Sequence, residues 1–381
     1  MRRAILIIFI ALESFTPNRS FSQKKLIKKF FSGKQDSTRA GSFLALPSLS
    51  YAQETGLEFG AAAVYAFHTD RQDLLTRSSS INVIATFTTK KQSNFKVQAD
   101  IWSPGNRWHR LTEIRYKNFP FNFYGIGPNT AEADKDVVVQ KLFRINQEVE
   151  RRFGRRYYAG ITLLFDQYLF RDKQPGGIFS TGTRVRDPDG GKVLFAGISQ
   201  VFDNRNSNTY TTTGNSIKIN LAFAPDLFGG ENYTGGLLRF DTRSFLPINK
   251  KKNIVAGLNV VGQSIRSGRT PFYLLPQLGN DQVMRGYYTG RYRDKNLLAA
   301  QVELRYRFIP RLGVAAFAGA GKVKSGSEQP LDGFKPSFGA GGRYFFDINR
   351  GLSVRFDYGI GEKRPGEHRQ QGFYISLGEA F

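Results

Sequence analysis

The chain has 381 residues, with 55 Lys and Arg against 31 Asp and Glu, a formal net charge of +24, and no cysteine. An aromatic share of 14% beside a mean hydropathy of −0.37 does not suit a soluble domain, whose aromatic residues would sit among other apolar ones in a core. The missing thiols exclude cysteine-held metals and a lipoprotein anchor, and basic residues spread along alternating segments rather than gathered in one patch argue against nucleic acid as a partner.

Arg2 and Arg3 precede the apolar run Ala4 to Leu12 and a polar stretch ending Ser20-Phe21-Ser22. This is the pattern of a signal peptide over 1–22, with cleavage before Gln23. The run falls well short of the roughly 20 apolar residues a membrane helix needs. Residues 23–41 carry Lys24, Lys25, Lys28, Lys29, Phe30, Phe31 and Lys34, a basic periplasmic segment too short to fold alone. It reads equally as an amphipathic helix on the inner leaflet or as a solvated tail.

From residue 42 to 381 the pattern is that of an all-β domain. Period-two segments lie near 42–51, 54–68, 79–90, 93–103, 108–118, 137–153, 156–170, 193–203, 215–227, 233–246, 253–266, 297–308, 312–323, 335–347, 351–361 and 371–381. In the twelfth, Leu298, Ala300, Val302, Leu304, Tyr306 and Phe308 alternate with Gln301, Glu303, Arg305 and Arg307. In the fifteenth, Leu352, Val354, Phe356, Tyr358 and Ile360 alternate with Ser353, Arg355, Asp357 and Gly359. The sixth and tenth place Arg144, Glu148, Glu150 and Arg152, then Arg239, Asp241 and Arg243, on the polar face.

No later segment has the length and apolarity of a membrane helix, so a membrane-embedded chain of this kind must close its backbone hydrogen bonds as a barrel. A β-sandwich also alternates, but the signal peptide, the strand number, the Phe and Tyr load and the loop pattern favour a sixteen-stranded antiparallel transmembrane barrel. Short connections at 153–155, 248–253, 310–311 and 348–350 are expected on the periplasmic side. Long ones at 119–136, 171–192, 267–296, 324–334 and 362–370 are expected outside, while 69–78 is long for its side.

The connection 267–296 is too apolar for a solvated loop, reading Thr270-Pro-Phe-Tyr-Leu-Leu-Pro-Gln-Leu-Gly-Asn-Asp-Gln-Val-Met-Arg-Gly-Tyr-Tyr. It is expected to fold into the lumen. Here the sequence resembles the BamA/TamA-type family, the outer-membrane-protein-85 superfamily of bacterial surface antigens, whose sixth extracellular loop carries Arg-Gly-(Phe/Tyr). Arg285-Gly286-Tyr287 stands at the matching place, with Leu278-Gly279 upstream. Glycine permits a tight tip, and arginine can pair with a wall carboxylate, for which Glu303 is the expected partner.

The resemblance extends to Phe123-Tyr-Gly-Ile-Gly-Pro-Asn, to Val201-Phe-Asp-Asn-Arg-Asn with Gly214, to Gly339-Ala-Gly-Gly-Arg-Tyr and to Val354-Arg-Phe-Asp-Tyr-Gly. The ending Ile375-Ser-Leu-Gly-Glu-Ala-Phe resembles the family's C-terminal assembly signal, with Gly378 and Phe381 in the matching positions. Two departures stand out. Where the family commonly has Phe-x-Asp-x-Gly, with an aspartate that also meets the loop arginine, this chain has Phe317-Ala-Gly319-Ala-Gly321, so the second acidic partner is expected to be missing. Relatives also carry periplasmic POTRA domains before the barrel, whereas only 23–41 stands there.

His68, His109 and His368 are scattered, and Gly319-Ala-Gly-Lys322 lacks the spacing and the Ser or Thr of a phosphate loop. Neither an enzyme nor a cofactor or metal site is expected. The inward charges suit a salt-bridge web around the loop better than a selectivity ring. The resemblance implies outer-membrane protein insertion, assembly or translocation, with outer-membrane lipid and lipopolysaccharide, client barrels and a periplasmic or lipoprotein partner around it. The alternative is a solute-conducting pore or a structural subunit without insertase activity.

Overall fold

The computed structural model describes residues 39–381 apart from 53–55, 173, 230–232 and 327–332. The signal peptide expected over 1–22, and the basic segment 23–41 except for its last three residues, lie outside the described residues.

Among the described residues, eighteen strands follow in chain order. They are β1 (Ser42–Ala52), β2 (Gly56–Phe67), β3 (Ser79–Thr88), β4 (Ser93–Trp102), β5 (Trp108–Phe123), β6 (Asp136–Phe153), β7 (Tyr157–Asp172), β8 (Gly190–Asp203), β9 (Gly214–Ala224), β10 (Gly235–Pro247), β11 (Ile254–Arg266), β12 (Gln277–Leu278), β13 (Tyr292–Arg293), β14 (Asn296–Ile309), β15 (Leu312–Lys324), β16 (Lys335–Asp347), β17 (Leu352–Ile360) and β18 (Gln371–Leu377). The two-residue strands β12 and β13 pair with each other inside the loop, and the other sixteen make one antiparallel sheet in sequential order. That sheet coils into a barrel, and Glu58 of β2 lines the same interior cavity as Gln371 and Tyr374 of β18.

Alternation decides which side of the wall each residue faces. On β14, Leu298, Val302, Leu304, Tyr306 and Phe308 are 40–53% exposed on the outer face, while Gln301, Glu303 and Arg305 are buried inside. In a membrane that outer row meets lipid. The wall is uneven in height: β5 and β6, and β6 and β7, each share sixteen residue pairs, whereas β17 and β18 share seven.

Two strand ends differ from the sequence expectation. The fifth segment was expected to stop near 118, but β5 runs to Phe123, because Phe121 packs on Phe170 and Phe123 on Phe179 and Phe272. The last was expected to run to 381, but β18 ends at Leu377. Gly378 takes φ +81°, which only glycine adopts readily, and turns the chain inward so that Phe381 packs against Phe245 and Val255.

The connection 68–78, long for its side, is held at the barrel's turn end by other turns. Arg77 pairs with Asp203 at 2.5 Å, and Asn208 donates to the Ser78 carbonyl at 2.8 Å. The Thr209 hydroxyl donates to the Arg350 carbonyl, and the Arg350 guanidinium in turn donates to the carbonyls of Arg39 at 3.0 Å and Ala40 at 2.6 Å. The turns 68–78, 204–213 and 348–351 therefore brace one another and the residues that enter β1.

Candidate functional site

The loop between β11 and β14 turns into the barrel because its sequence gives it something to bury. Phe272, Tyr273, Leu274 and Leu275 are buried against Phe123, Leu142, Tyr168, Phe179 and Ile265 of the surrounding wall and loops. Beyond that anchor, pairing of β12 with β13 pinches the loop. Leu278, Met284, Tyr287 and Tyr292 then pack on Ala299 and Val323 of the wall. The tip between these two grips is residues 279–291.

Arg285, fully buried, lies at that tip. Its Nη2 donates to Glu303 Oε2 at 2.6 Å and its Nη1 to Asp357 Oδ2 at 2.5 Å, so the planar guanidinium bridges two carboxylates from separate strands. Its face lies 3.5 Å from the ring centroid of Phe317, an attraction that strengthens once water is excluded. The expected loss of a second acidic partner is thus corrected. Glycine does occupy the expected position on β15, but Asp357, two strands further on, supplies the carboxylate.

These carboxylates are shared. Arg305 Nε meets Glu303 at 2.7 Å, Arg343 meets Asp357 at 2.5 Å and Glu379 at 2.8 Å, and Arg355 meets Asp357 and Asp281, both at 2.9 Å. Four arginines (285, 305, 343, 355) thus face four carboxylates (281, 303, 357, 379). Such a balance is what a buried ionic cluster needs, since a lone desolvated charge is very costly. Phe381 belongs to the same region, its backbone oxygen accepting from Arg305 at 2.8 Å and its ring lying 5.1 Å from the same guanidinium.

Backbone contact brings the loop this close. Gly286, at φ +109°, lies against Gly359 and Ile360 of β17, where a Cβ would stand 2.7 Å from the Ile360 nitrogen. Its N–H donates to the Tyr374 hydroxyl at 2.9 Å. The Ser337 hydroxyl donates to the Arg285 carbonyl at 2.5 Å. Tyr287 donates its hydroxyl proton to the Pro336 carbonyl at 2.6 Å and accepts from the Glu362 N–H at 2.9 Å.

Toward the loop end of the barrel, Arg291 pairs with Glu367 at 2.7 Å and donates to the Thr130 carbonyl at 3.1 Å, tying the inserted loop to two others. Burial pushes the Glu367 carboxyl up, but the Glu132 N–H and the Arg291 charge outweigh it and leave the group below its ordinary value.

Of the residues singled out in the sequence, Arg285, Gly286, Tyr287 and Glu303 meet in one place, and Phe381 joins them through Arg305. Gly378 serves there as the turn that sends Phe381 inward. Asp357, Arg343 and Glu379 were not singled out. Asp357 was already on the polar face of its strand beside Arg355, and what the sequence left open was its pairing with Arg285. Of the histidines, His109 lies between Glu150 at 2.7 Å and Asp100 at 3.0 Å, stacked on Trp102.

A sixteen-stranded transmembrane barrel with a long loop locked into its lumen by an arginine is a distinct class of outer-membrane protein. The chain belongs to the Omp85 superfamily, whose domain matches residues 77–381. That membership places it in the bacterial outer membrane and, at the level of the superfamily, among barrels of protein insertion or translocation.

No curated protein matches the chain. Its fold is similar to that of BamA from Haemophilus ducreyi lacking POTRA domains 1–3, at 14% identity and a TM-score of 0.54, covering 94% of this chain and 77% of that one. It is also similar to CdiB from Acinetobacter baumannii, at 12% identity and a TM-score of 0.55, and to CdiB from Escherichia coli, at 10% and 0.55. The matches cover 90% and 89% of this chain but only 60% and 62% of the two CdiB chains.

Proposed function

We propose that this protein inserts, assembles or translocates outer-membrane proteins without any chemical step, after export through a signal peptide cleaved before Gln23. The observation that carries the reading is the loop lock of Arg285 on Glu303 and Asp357, which braces one side of the wall from inside. The edge of a strand templates pairing with an incoming strand. The wall is lowest at β17 and β18, so the proposed seam between the first and last strands lies beside its least-paired part. The braced lumen would hold its shape while that seam opens to a client strand. A separate periplasmic or lipoprotein partner would collect clients, and the outer apolar band would sit among outer-membrane lipid and lipopolysaccharide.

Depleting the protein and quantifying the other barrels of the outer membrane tests this. The expected result is a selective fall in a subset of them, and unchanged levels of every barrel would overturn it in favour of a pore or structural subunit.

A further inference from the structure

Two cavities adjoin inside the barrel, of about 560 and 600 Å³, sharing Lys117, Gln140, Tyr273, Gln277 and Thr289 in their linings. Their charges are unlike those of the arginine lock. Around the larger stand Arg115, Lys117, Arg144 and Arg239, with Asp166 and Asp281 as the carboxylates among the described residues. Both carboxylates are engaged: Asp166 takes both donors of Arg144 at 2.7 Å, and Asp281 meets Arg355 at 2.9 Å and the Ser376 hydroxyl at 2.8 Å.

That leaves Arg115, Lys117 and Arg239 with no carboxylate within ion-pair distance among the described residues. The Nε–H groups of Arg115 and Arg239 are buried without an acceptor. Among the described residues, the smaller cavity has one carboxylate, Glu58, against the two cations Lys117 and Arg293. Arg293, only 2% exposed, reaches its wall with no carboxylate partner among the described residues. Its guanidinium donates to the Gly290 carbonyl at 3.3 and 3.2 Å and lies over the rings of Phe121 and Phe123.

Arg115, Lys117 and Arg239 are half-buried and Arg293 is buried, and cations withdrawn from water in this way gain from an anionic partner. A guanidinium offers several donors in a fixed plane, which suits the oxygens of phosphate and carboxylate groups. We propose that this chamber is an anion-binding site, taking a small solute that bears a phosphate or carboxylate group, held by Arg115, Lys117 and Arg239 on the wall and by Arg293 on the inserted loop. The site stands apart from the insertion reading and does not depend on it.

The test uses the purified full-length protein in detergent, with equilibrium dialysis against inorganic pyrophosphate in one arm and citrate in the other, chloride holding ionic strength constant. Saturable binding near one per chain is expected, the preferred arm identifying the group. Losing one charged donor should weaken it about tenfold in Arg115→Gln and in Arg239→Gln. Lys250→Gln, on an exposed turn away from the chamber, should leave it unchanged. Folding is checked by heat-modifiable gel mobility, and Lys117→Gln with the wild-type isotherm decides the matter if the arginine variants do not fold. Absence of saturable binding in both arms, or equal affinity in wild type and folded variants, would mean an adventitious ion only and would overturn the proposal.

Discussion

Replacing Arg285 by alanine asks how much the inserted loop depends on its lock. The guanidinium is fully buried and joins Glu303 at 2.6 Å and Asp357 at 2.5 Å, so its loss leaves two desolvated carboxylates one cation short. Removing one partner of a buried ion pair costs roughly 3–5 kcal/mol. Glu303 keeps Arg305 at 2.7 Å, and Asp357 keeps Arg343 at 2.5 Å and Arg355 at 2.9 Å, which sets the expectation at the lower end, about 3 kcal/mol. Arg285→Lys should recover only part, since one ammonium cannot present a planar fork to two carboxylates. Pairing Arg285→Ala with Asp357→Asn should cost less than the sum of the two, because the second change removes a charge the first left unpaired. Urea unfolding in liposomes, followed by heat-modifiable gel mobility, reads all of these. If Arg285→Ala unfolds within about 0.5 kcal/mol of wild type, a difference typical of a neutral surface change, the lock is not what holds the loop.

Gly286→Ala should unseat the tip while sparing the wall, because its Cβ would stand 2.7 Å from the Ile360 nitrogen and the residue sits at φ +109°. A single cysteine placed in the loop of this cysteine-free chain would then become reactive to a water-soluble maleimide, and no change in reactivity would refute the close approach. Phe272→Ala, which empties a site packed by Phe123, Phe170 and Phe179, should cost about 3–5 kcal/mol in the same urea assay. At the turn end, burial first, then the charges of Arg39 and Arg350, pulls the His68 imidazole down from 6.5 to about 4. The unfolded chain therefore binds a proton that the folded one refuses, so stability is fully present above pH 6.5 and declines as pH falls toward 4. His68→Gln should flatten that part of the curve, and an unchanged slope would remove His68 as its cause.

The barrel was legible because alternation is local. Leu298 to Phe308 against Gln301 to Arg307 declares two faces without reference to any other strand, and pairing sequential strands then orders the sheet. Arg285 and Glu303 could be associated because they flank one connection, 18 positions apart. Asp357 is 72 positions from Arg285, and the family pattern pointed to β15, where glycine stands. Which strand supplies the second carboxylate depends on how deep the tip is seated and on its approach to Gly359, neither of which any short segment encodes. The inward turn at Gly378 escaped for a related reason: the chain ends in an aromatic residue in step with Phe373, Ile375 and Leu377, and the packing of Phe381 on Phe245 and Arg305 tells that it has left the wall.

The lock also constrains the order in which the molecule can assemble. Within its cluster Arg285 shares the loop with Asp281 alone, while Glu303, Asp357 and Glu379 stand on or beyond wall strands that follow it, so the lock can close only as those strands take their places. Threading a bare guanidinium into a finished, crowded lumen would require shedding its water before any carboxylate could replace it. The contacts of Gly286 with the backbone of β17, and of Ser337 with the Arg285 carbonyl, form more readily when the five wall strands after the loop close around a loop already in place. On that path the loop is a template for the closing wall, and the final hairpin cannot settle until Asp357 has found its arginine.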